Sequence, residues 1–289
     1  MDHTLTFYIR HYECDPNGHL GHANYLRYIH ETYISALAAS GHSLAHPSSP
    51  KLTWHPVEMY IDYLRPLFFK DQVLVRASLK HVIDDRTEWS YEFIHPESNE
   101  IHATSQIVYS PRNMADSLQV SIPPEFTAPQ PAGTKPLAYT PIEFPPLAPR
   151  PPGAFTQPWQ VEWRDVDPNQ YLNIAAYVDY LLDFVLIAAA ACGWTFERSR
   201  NQGFAFYIRR QWLRIMDPIR FGDQLLLTTW LSNIKRATLL RHFTIQRLED
   251  GREIGQSHTL WACVDPRSGR PVRIPETWVG DFAVQISRG

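Results

Sequence analysis

The chain carries an internal repeat at a constant offset of 152 residues, and this repeat limits the folds that it can adopt. Asp15-Pro-Asn and Asp167-Pro-Asn each precede an amphipathic run. Self-similarity at one fixed offset predicts two copies of one structural unit. The offset, applied without a gap, brings further identical residues into register: Tyr25 with Tyr177, Tyr28 with Tyr180, Pro66 with Pro218, Phe69 with Phe221, Asp71 with Asp223 and Gln72 with Gln224.

Hydrophobic periodicity predicts the same elements in each copy. Apolar residues alternate around Leu5, Phe7 and Ile9, as in a half-buried strand, and they take helical spacing from Ala23 to near Gly41. One helix and five strands in each copy predict an α+β fold with an antiparallel sheet. The expected later strands of copy one lie near 54–64, 71–83, 87–95 and 100–110. For copy two we expect a strand at 157–164, a helix at 174–191, and strands at 204–215, 223–234, 238–248 and 253–264.

Proline marks the boundary between the copies. Residues 123–158 hold 12 of the 24 prolines, and such a segment favours an extended connector. A ligand for SH3-type modules is the alternative, although no basic Pro-x-x-Pro core stands out. Since 289 residues exceed the usual single domain, we predict an N-terminal domain at 1–118, a linker at 119–154 and a C-terminal domain at 155–289.

Composition narrows the classes of partner and compartment. A net charge of −3 gives no broad attraction to nucleic acid or anionic lipid, so neither is an expected partner. The most apolar run, Leu181 to Cys192, is short for a membrane span and contains Asp183, which predicts a buried helix and no membrane insertion. The odd number and wide spacing of Cys14, Cys192 and Cys263 argue against a disulfide framework. With no signal peptide visible, we expect a cytoplasmic protein.

The turn before the helix differs between the copies. Residues 15–28 read Asp-Pro-Asn-Gly-His-Leu-Gly-His-Ala-Asn-Tyr-Leu-Arg-Tyr, and residues 163–173 read Trp-Arg-Asp-Val-Asp-Pro-Asn-Gln-Tyr-Leu-Asn. The first stretch resembles the signature of hotdog-fold thioesterases of the 4-hydroxybenzoyl-CoA thioesterase type. The second is similar to the corresponding stretch of acyl-ACP thioesterases, which also carry two hotdog units in one chain.

The resemblance implies two tandem hotdog domains, each an antiparallel sheet wrapped around a central helix, that form an intramolecular pseudo-dimer. It also implies an acyl thioesterase that hydrolyses an acyl-CoA or acyl-ACP thioester to free acid and thiol. No dissociable cofactor is expected, because CoA or phosphopantetheine enters as part of the substrate. A homodimer of pseudo-dimers is a further assembly that the resemblance allows.

By the resemblance, Asp15 is the base or nucleophile, and Asn17 and His19 are polar partners that orient water or the thioester. Thioester hydrolysis independently requires a carboxylate and hydrogen-bond donors for the carbonyl oxygen that becomes negative. A turn that runs into a helix N-terminus supplies both. The backbone N–H groups around His22 and Ala23 are the expected donors.

Two glycines complete the predicted substrate-binding set of copy one. Gly18 and Gly21 allow a ligand to approach the backbone closely. The spacing His19-x-x-His22 suggests a metal site, but without a His-Glu-x-x-His motif or nearby acid ligands we predict none.

Copy two departs from the family pattern at two positions. Asp167 and Asn169 match it, whereas Tyr171 stands in the place of histidine and Gln170 in the place of glycine. Phenol hydroxyls titrate near pH 10 and are poor proton shuttles at neutrality. We therefore predict one working centre, in copy one at the interface of the two units, and keep Asp167 as a further candidate.

The offset also exposes a difference in charge. Glu58 and Asp62, on one face of their strand, correspond to Arg210 and Arg214 in copy two. One hypothesis is that these charges meet across the pseudo-twofold axis. Another is that Glu58 or Asp62 assists Asp15, while a phosphate of CoA or phosphopantetheine is received by Arg209, Arg210 or Arg214. Plain surface charge is the third reading.

Two other functions share the fold. Hotdog enoyl hydratases and dehydratases resemble Asp-x-Asn-Pro-x-His, whereas here Pro16 precedes Asn17 and His19 comes too early. A non-catalytic acyl-thioester-binding protein would bind ligand without turnover, but no DNA-binding helix pair or basic tail accompanies the domains. A turn with a purely structural role would also be repeated in both copies, so the repeat alone does not indicate catalysis. His19, at the position where the family carries histidine, is the residue that favours a catalytic role for the first turn.

Overall fold

A computed structural model of the protein describes residues 2–41, 52–83, 85–113, 118–122 and 142–287. The chain divides into two compact units, Met1–Glu143 and Phe144–Gly289. Most of the predicted linker, from 123 to 141, lies outside the described residues, and its last residues belong to the second unit. The predicted domain boundaries therefore stay a prediction.

The first unit is a five-stranded antiparallel sheet with one long helix, as the periodicity predicts. Its strands are ordered β1-β3-β4-β5-β2. A 3₁₀ turn at His11–Glu13 leads into the turn at Asp15. The elements are β1 (Asp2–Tyr8), α1 (His22–Ala39), β2 (Leu52–Tyr63), β3 (Gln72–Ile83), β4 (Arg86–Ile94) and β5 (Ile101–Asn113).

The second unit repeats this arrangement with the strand order β6-β8-β9-β10-β7. The strand expected at 157–164 ends earlier, because Trp163–Asp165 forms a 3₁₀ turn. Two short helices, α3 (Phe196–Asn201) and α4 (Glu276–Asp281), were not predicted, because six residues are too few to show helical periodicity. The elements are β6 (Phe155–Gln160), α2 (Ile174–Ala191), α3 (Phe196–Asn201), β7 (Ala205–Ile215), β8 (Gln224–Ser232), β9 (Thr238–Arg247), β10 (Glu253–Val264) and α4 (Glu276–Asp281).

The predicted apolar stripe of α1 forms the core of the first unit. Leu26, Ile29, Tyr33 and Leu37 are almost completely buried. The ring of Tyr33 meets Trp89 of β4 edge to face at 5.2 Å. Burying each side chain of this kind stabilises the fold by about 1.5–3 kcal/mol. This packing fixes α1, and with it the turn that precedes the helix, against the sheet.

Helix α2 is buried on all sides at its N-terminal end and on one face only in its C-terminal half. Tyr177, Leu181 and Phe184 are buried, whereas Leu186 and Ile187 are 50% and 37% exposed. By length and composition α2 qualifies as a candidate membrane span, a test that core helices also pass, and 56% of it is buried in the fold. The prediction of a buried helix at Leu181 to Cys192 is therefore correct for one face of this run and wrong for the other.

A buried histidine pair joins two neighbouring strands of the second sheet. His242 on β9 and His258 on β10 bring their Nδ1 atoms to 2.8 Å, and Ser232 Oγ lies 2.6 Å from His242 Nε2. One Nδ1 must carry the proton of this bond while the other accepts it. Burial lowers the pKa of both imidazoles to about 4, so the pair is neutral near pH 7.

Candidate active site

One oxygen of the Asp15 carboxylate holds the turn together. Asp15 Oδ1 accepts the backbone N–H of Asn17 at 2.8 Å and that of His19 at 3.1 Å. The N–H of Gly18 donates to the backbone carbonyl of Asp15 at 2.8 Å, and Gly18 has a φ of +82°, where glycine is favoured. The turn is therefore rigid, and the position of the carboxylate is set by its own backbone.

The other oxygen of Asp15 has fewer contacts. Within the described residues, Asp15 Oδ2 accepts only the side-chain amide of Asn17, at 3.4 Å, and Asp15 is half-buried. His19 is also half-buried, and its ring meets Phe68 edge to face at 5.2 Å. Asp15, Asn17 and His19 thus lie together in one turn, and their roles in catalysis stay a prediction.

Glu13 anchors this turn to the helix, and sequence reasoning missed it. Its carboxylate accepts the Tyr28 hydroxyl at 2.6 Å and the Arg10 N–H at 2.8 Å. Its backbone carbonyl accepts the N–H of Gly21 and the Asn24 side-chain amide. Burial, with the carboxylate beside it, raises the pKa of Tyr28, so the phenol stays protonated and donates. The signal was available, since an acidic residue recurs at the same offset as Asp165.

Asp165 makes the same anchor in the second unit, where it accepts the Tyr180 hydroxyl at 2.7 Å. The repeated tyrosines of the helices are therefore packing and anchoring residues rather than catalysts.

The N-termini of the two long helices differ. Gly21 caps α1, and no side-chain hydrogen bond is made at this cap within the described residues. Asn173 caps α2, and its Oδ1 accepts the N–H of Ala175 at 2.8 Å. Ala175 is the counterpart of Ala23, whose N–H is a predicted oxyanion donor. In the second unit the N–H of Ala175 is bound by the cap, whereas in the described part of the first unit no side chain binds the N–H of Ala23.

The second turn has the same hydrogen bonds from its backbone to the aspartate as the first turn. Asp167 Oδ1 accepts the N–H of Asn169 at 2.9 Å and that of Tyr171 at 3.1 Å. Gln170 adopts the left-handed backbone of Gly18, with a φ of +67°. Because the carboxylates are held alike, the aspartates do not distinguish the two copies. The residues around the two aspartates distinguish the two copies.

Tyr171 is covered, unlike the half-buried His19. It is 2% exposed, and the guanidinium of Arg220 lies 5.1 Å from its ring centroid. Arg220 Nη2 also donates to the Tyr171 hydroxyl at 3.5 Å. Arg220 occupies the position that Phe68 has in the first unit. At this position the second turn therefore carries a buried phenol that Arg220 covers, whereas the first turn carries a half-buried imidazole.

Two sequence profiles match the chain. The profile of the thioesterase-like superfamily covers residues 9–130, and the profile of the acyl-ACP thioesterase N-terminal domain covers residues 152–282. The chain belongs to the hotdog-fold thioesterase superfamily. Both matched stretches contain the Asp-Pro-Asn turn, the long helix and the strands that follow. A comparison with curated protein sequences gives no match.

Solved structures share the tandem hotdog fold over nearly the whole chain. A protein from Lactobacillus plantarum described as an oleoyl thioesterase superimposes with a TM-score of 0.72 at 16% identity, covering 96% of this chain and 98% of that one. The 12:0-ACP thioesterase from Umbellularia californica gives 0.68 at 17% identity, covering 91% and 94%. An acyl-ACP thioesterase from Bacteroides thetaiotaomicron gives 0.65 at 15%, covering 90% and 97%. The predicted α+β fold of two tandem hotdog domains is confirmed.

The remaining predicted site residues, Glu58 and Arg210, lie on strands. Glu58 is half-buried on β2 opposite Val108, and Arg210 is exposed on β7. Arg214, four residues beyond Arg210 on the same strand, places its guanidinium 4.2 Å from the ring centroid of Phe144. The pairing of these arginines with carboxylates of the first unit stays a prediction, as does a role for Glu58 or Arg210 in substrate binding.

A surface cavity of about 420 Å³ in the second unit contains none of the predicted site residues. The described part of the chain holds no cluster of three or more His, Cys, Asp or Glu side chains arranged for a metal ion. All three cysteines are free thiols. The lining residues of the cavity are Phe196, Glu197, Arg200, Asn201, Pro266 and Arg267.

Proposed function

We propose that this protein is an acyl thioesterase whose single active site is the Asp15 turn of the first unit. One observation carries the proposal: Asp15 and His19 stand next to a helix N-terminus that no side chain of the described residues caps. At the equivalent place in the second unit, the imidazole is replaced by the covered Tyr171 and the helix is capped by Asn173.

The geometry supports a simple hydrolysis. The thioester carbonyl oxygen accepts the backbone N–H groups at His22 and Ala23, which stabilise it as it becomes negative. Asp15 Oδ2 removes a proton from water while the water oxygen bonds to the acyl carbon. The C–S bond then breaks, and the thiolate takes up the proton, so that a free acid and a thiol leave and the carboxylate is restored. In the alternative route Asp15 attacks the acyl carbon and the C–S bond breaks to release the thiolate. Water then hydrolyses the resulting anhydride to the free acid and the Asp15 carboxylate, and the proton it releases is taken up by the thiolate.

The carrier and the compartment belong to the same proposal. Either CoA or acyl carrier protein supplies the thiol, and no dissociable cofactor takes part. Solved structures of the same fold include acyl-ACP thioesterases, which makes acyl-ACP the first substrate to test. We place the reaction in the cytoplasm. The position of the site at the interface of the units, and association into a homodimer, stay predictions.

The decisive test is thiol release from acyl-ACP, alkyl-CoA and aryl-CoA substrates of several lengths. Asp15→Asn keeps an Oδ1 acceptor for the turn but removes the base, so we expect kcat to fall by about 10²- to 10⁴-fold. Asp167→Asn is the matched control, because its carboxylate makes the same backbone contacts. It is expected to retain near wild-type activity.

Three other outcomes of these assays would contradict the proposal in different ways. Equal losses in both variants would contradict the single-site assignment. Absence of thiol release from every thioester, with binding retained, would favour an acyl-thioester-binding protein. Hydration of an enoyl thioester without thiol release would favour a hydratase.

A further inference from the structure

Three consecutive exposed residues, Phe68, Phe69 and Lys70, form a ridge beside the Asp15 turn. We call them the docking ridge. Phe68 and Phe69 are 47% and 46% exposed, and Lys70 is exposed as well. A β-bridge joins His19 to Phe68, and their rings meet at 5.2 Å. The ridge is therefore in direct contact with the proposed active site.

The exposed rings add little to the core. Fully burying a phenylalanine stabilises a fold by about 1.5–3 kcal/mol, and roughly half of each ring stays in water here. Adjacent exposed apolar side chains next to polar groups are typical of binding surfaces. The Lys70 ammonium lies 5.3 Å from the Phe69 ring centroid, so the ridge combines an aromatic surface with a cation.

The backbone of Lys70 supports a role for its side chain. Its φ is +74°, a left-handed conformation that costs a residue with a Cβ about 1–2 kcal/mol. Gly222 stands at the equivalent position of the second unit, with a φ of +84°, and has no such cost. Glycine thus suits this turn, and in the first unit, whose neighbouring turn carries His19, the position holds a lysine despite this cost.

The ridge is incomplete in the second unit. There Arg220, Phe221 and Gly222 take the three positions. Phe221 is 54% exposed, but Arg220 covers Tyr171 and the cation of the third position is missing. The aromatic pair with its cation therefore occurs together only beside the turn that we assign to catalysis.

We propose that the docking ridge binds the phosphopantetheine arm of the thioester substrate. The apolar part of the arm packs on the rings of Phe68 and Phe69, and the phosphate pairs with the Lys70 ammonium. This inference rests on the proposed thioesterase function. The arm and its phosphate are common to CoA and to acyl carrier protein, so the ridge recognises the chemistry that the two carriers share.

Lys70→Gly tests the ridge without endangering the fold, because it reproduces Gly222 and removes the strained backbone. We expect the KM for each carrier substrate that is hydrolysed, acyl-CoA, acyl-ACP or both, to rise about fivefold, the effect of one exposed ion pair. The same acyl group on N-acetylcysteamine, which has no phosphate, is the reference substrate. If both carriers are hydrolysed, a rise for one carrier alone would mean that Lys70 contacts that carrier and not the shared arm, and it would overturn the proposal. An unchanged KM for both carriers, or an equal rise for the reference, would overturn it.

Arg76→Gln is the charge-matched control. Arg76 is an exposed cation on β3 of the same unit, paired with Glu92 at 3.1 Å. It lies outside the ridge, so its loss should leave both KM values at the wild-type level. If the KM rose as much in Arg76→Gln as in Lys70→Gly, the effect would depend only on net charge, and the proposal would be overturned.

Binding of free 4′-phosphopantetheine, measured by calorimetry against pantetheine, separates this inference from the proposed function because it needs no turnover. We expect wild type to bind the phosphorylated form more tightly and Lys70→Gly to lose that preference. If no thioester is hydrolysed but this preference behaves as expected, the ridge stands and the thioesterase proposal fails. Equal binding of both forms by wild type would overturn the ridge.

Discussion

The uncapped N-terminus of α1 can be closed by one substitution that the second unit already contains. Gly21→Asn would give α1 the cap that Asn173 gives α2. The backbone is suitable, since Gly21 has φ −60° and ψ 141° and Asn173 has φ −63° and ψ 140°. A Cβ at Gly21 would lie 3.3 Å from the Glu13 carbonyl oxygen, so a shift of a few tenths of an ångström suffices.

The substitution has opposite consequences for stability and for activity. A new Asn cap exceeds a glycine cap by only a few tenths of a kcal/mol, so the free energy of unfolding should rise slightly. The Asn side chain would accept the N–H of Ala23, as Asn173 accepts that of Ala175. Withdrawing one donor from a developing oxyanion costs about 2.7–4 kcal/mol, which lowers kcat by about 10²- to 10³-fold.

The assays are steady-state thiol release and urea unfolding of the same preparations. Asn173→Gly is the reciprocal control: it should lower the free energy of unfolding by a few tenths of a kcal/mol and leave kcat unchanged. Wild-type kcat in Gly21→Asn would refute the assignment of the oxyanion donors. A loss of activity accompanied by an equal loss of stability would point to a steric clash with Glu13 instead.

Three further predictions concern stability, and each is measured by urea unfolding. Gln170→Gly should raise the free energy of unfolding by about 0.5–1 kcal/mol by relieving a left-handed backbone, and no gain would argue against strain there. Tyr28→Phe should cost about 1.5–3 kcal/mol by removing a donor from the buried Glu13 carboxylate, and a neutral effect would contradict that anchor. His242 and His258 have folded pKa values of about 4, below the unfolded 6.5, so their contribution is complete above pH 6.5 and is lost as pH falls towards 4. Between pH 7.5 and 5 the loss should be about 2 kcal/mol per histidine, and a loss unchanged in His242→Gln would exclude the pair as its source.

Local periodicity was sufficient to predict most of the elements. The helix expected at 174–191 is observed at Ile174–Ala191, and the strand expected at 253–264 is observed at Glu253–Val264. These elements have a buried face that repeats every 3.6 or 2 residues, and that pattern is present in the sequence itself. Helices α3 and α4 are too short to repeat any pattern, so the sequence did not indicate them.

The sequence by itself determined the duplication, the hotdog elements and the Asp-Pro-Asn turn with its different residues in the two copies, because these depend on spacing along the chain. Only the tertiary structure decided the chemistry around each turn. Arg220 covers Tyr171 across 49 residues, and Phe68 reaches His19 across a similar separation. Such contacts form when a distant strand end folds onto the turn, so no local pattern predicts them. The matched halves and the different turn residues follow from the sequence, and the contacts made around each turn follow from packing.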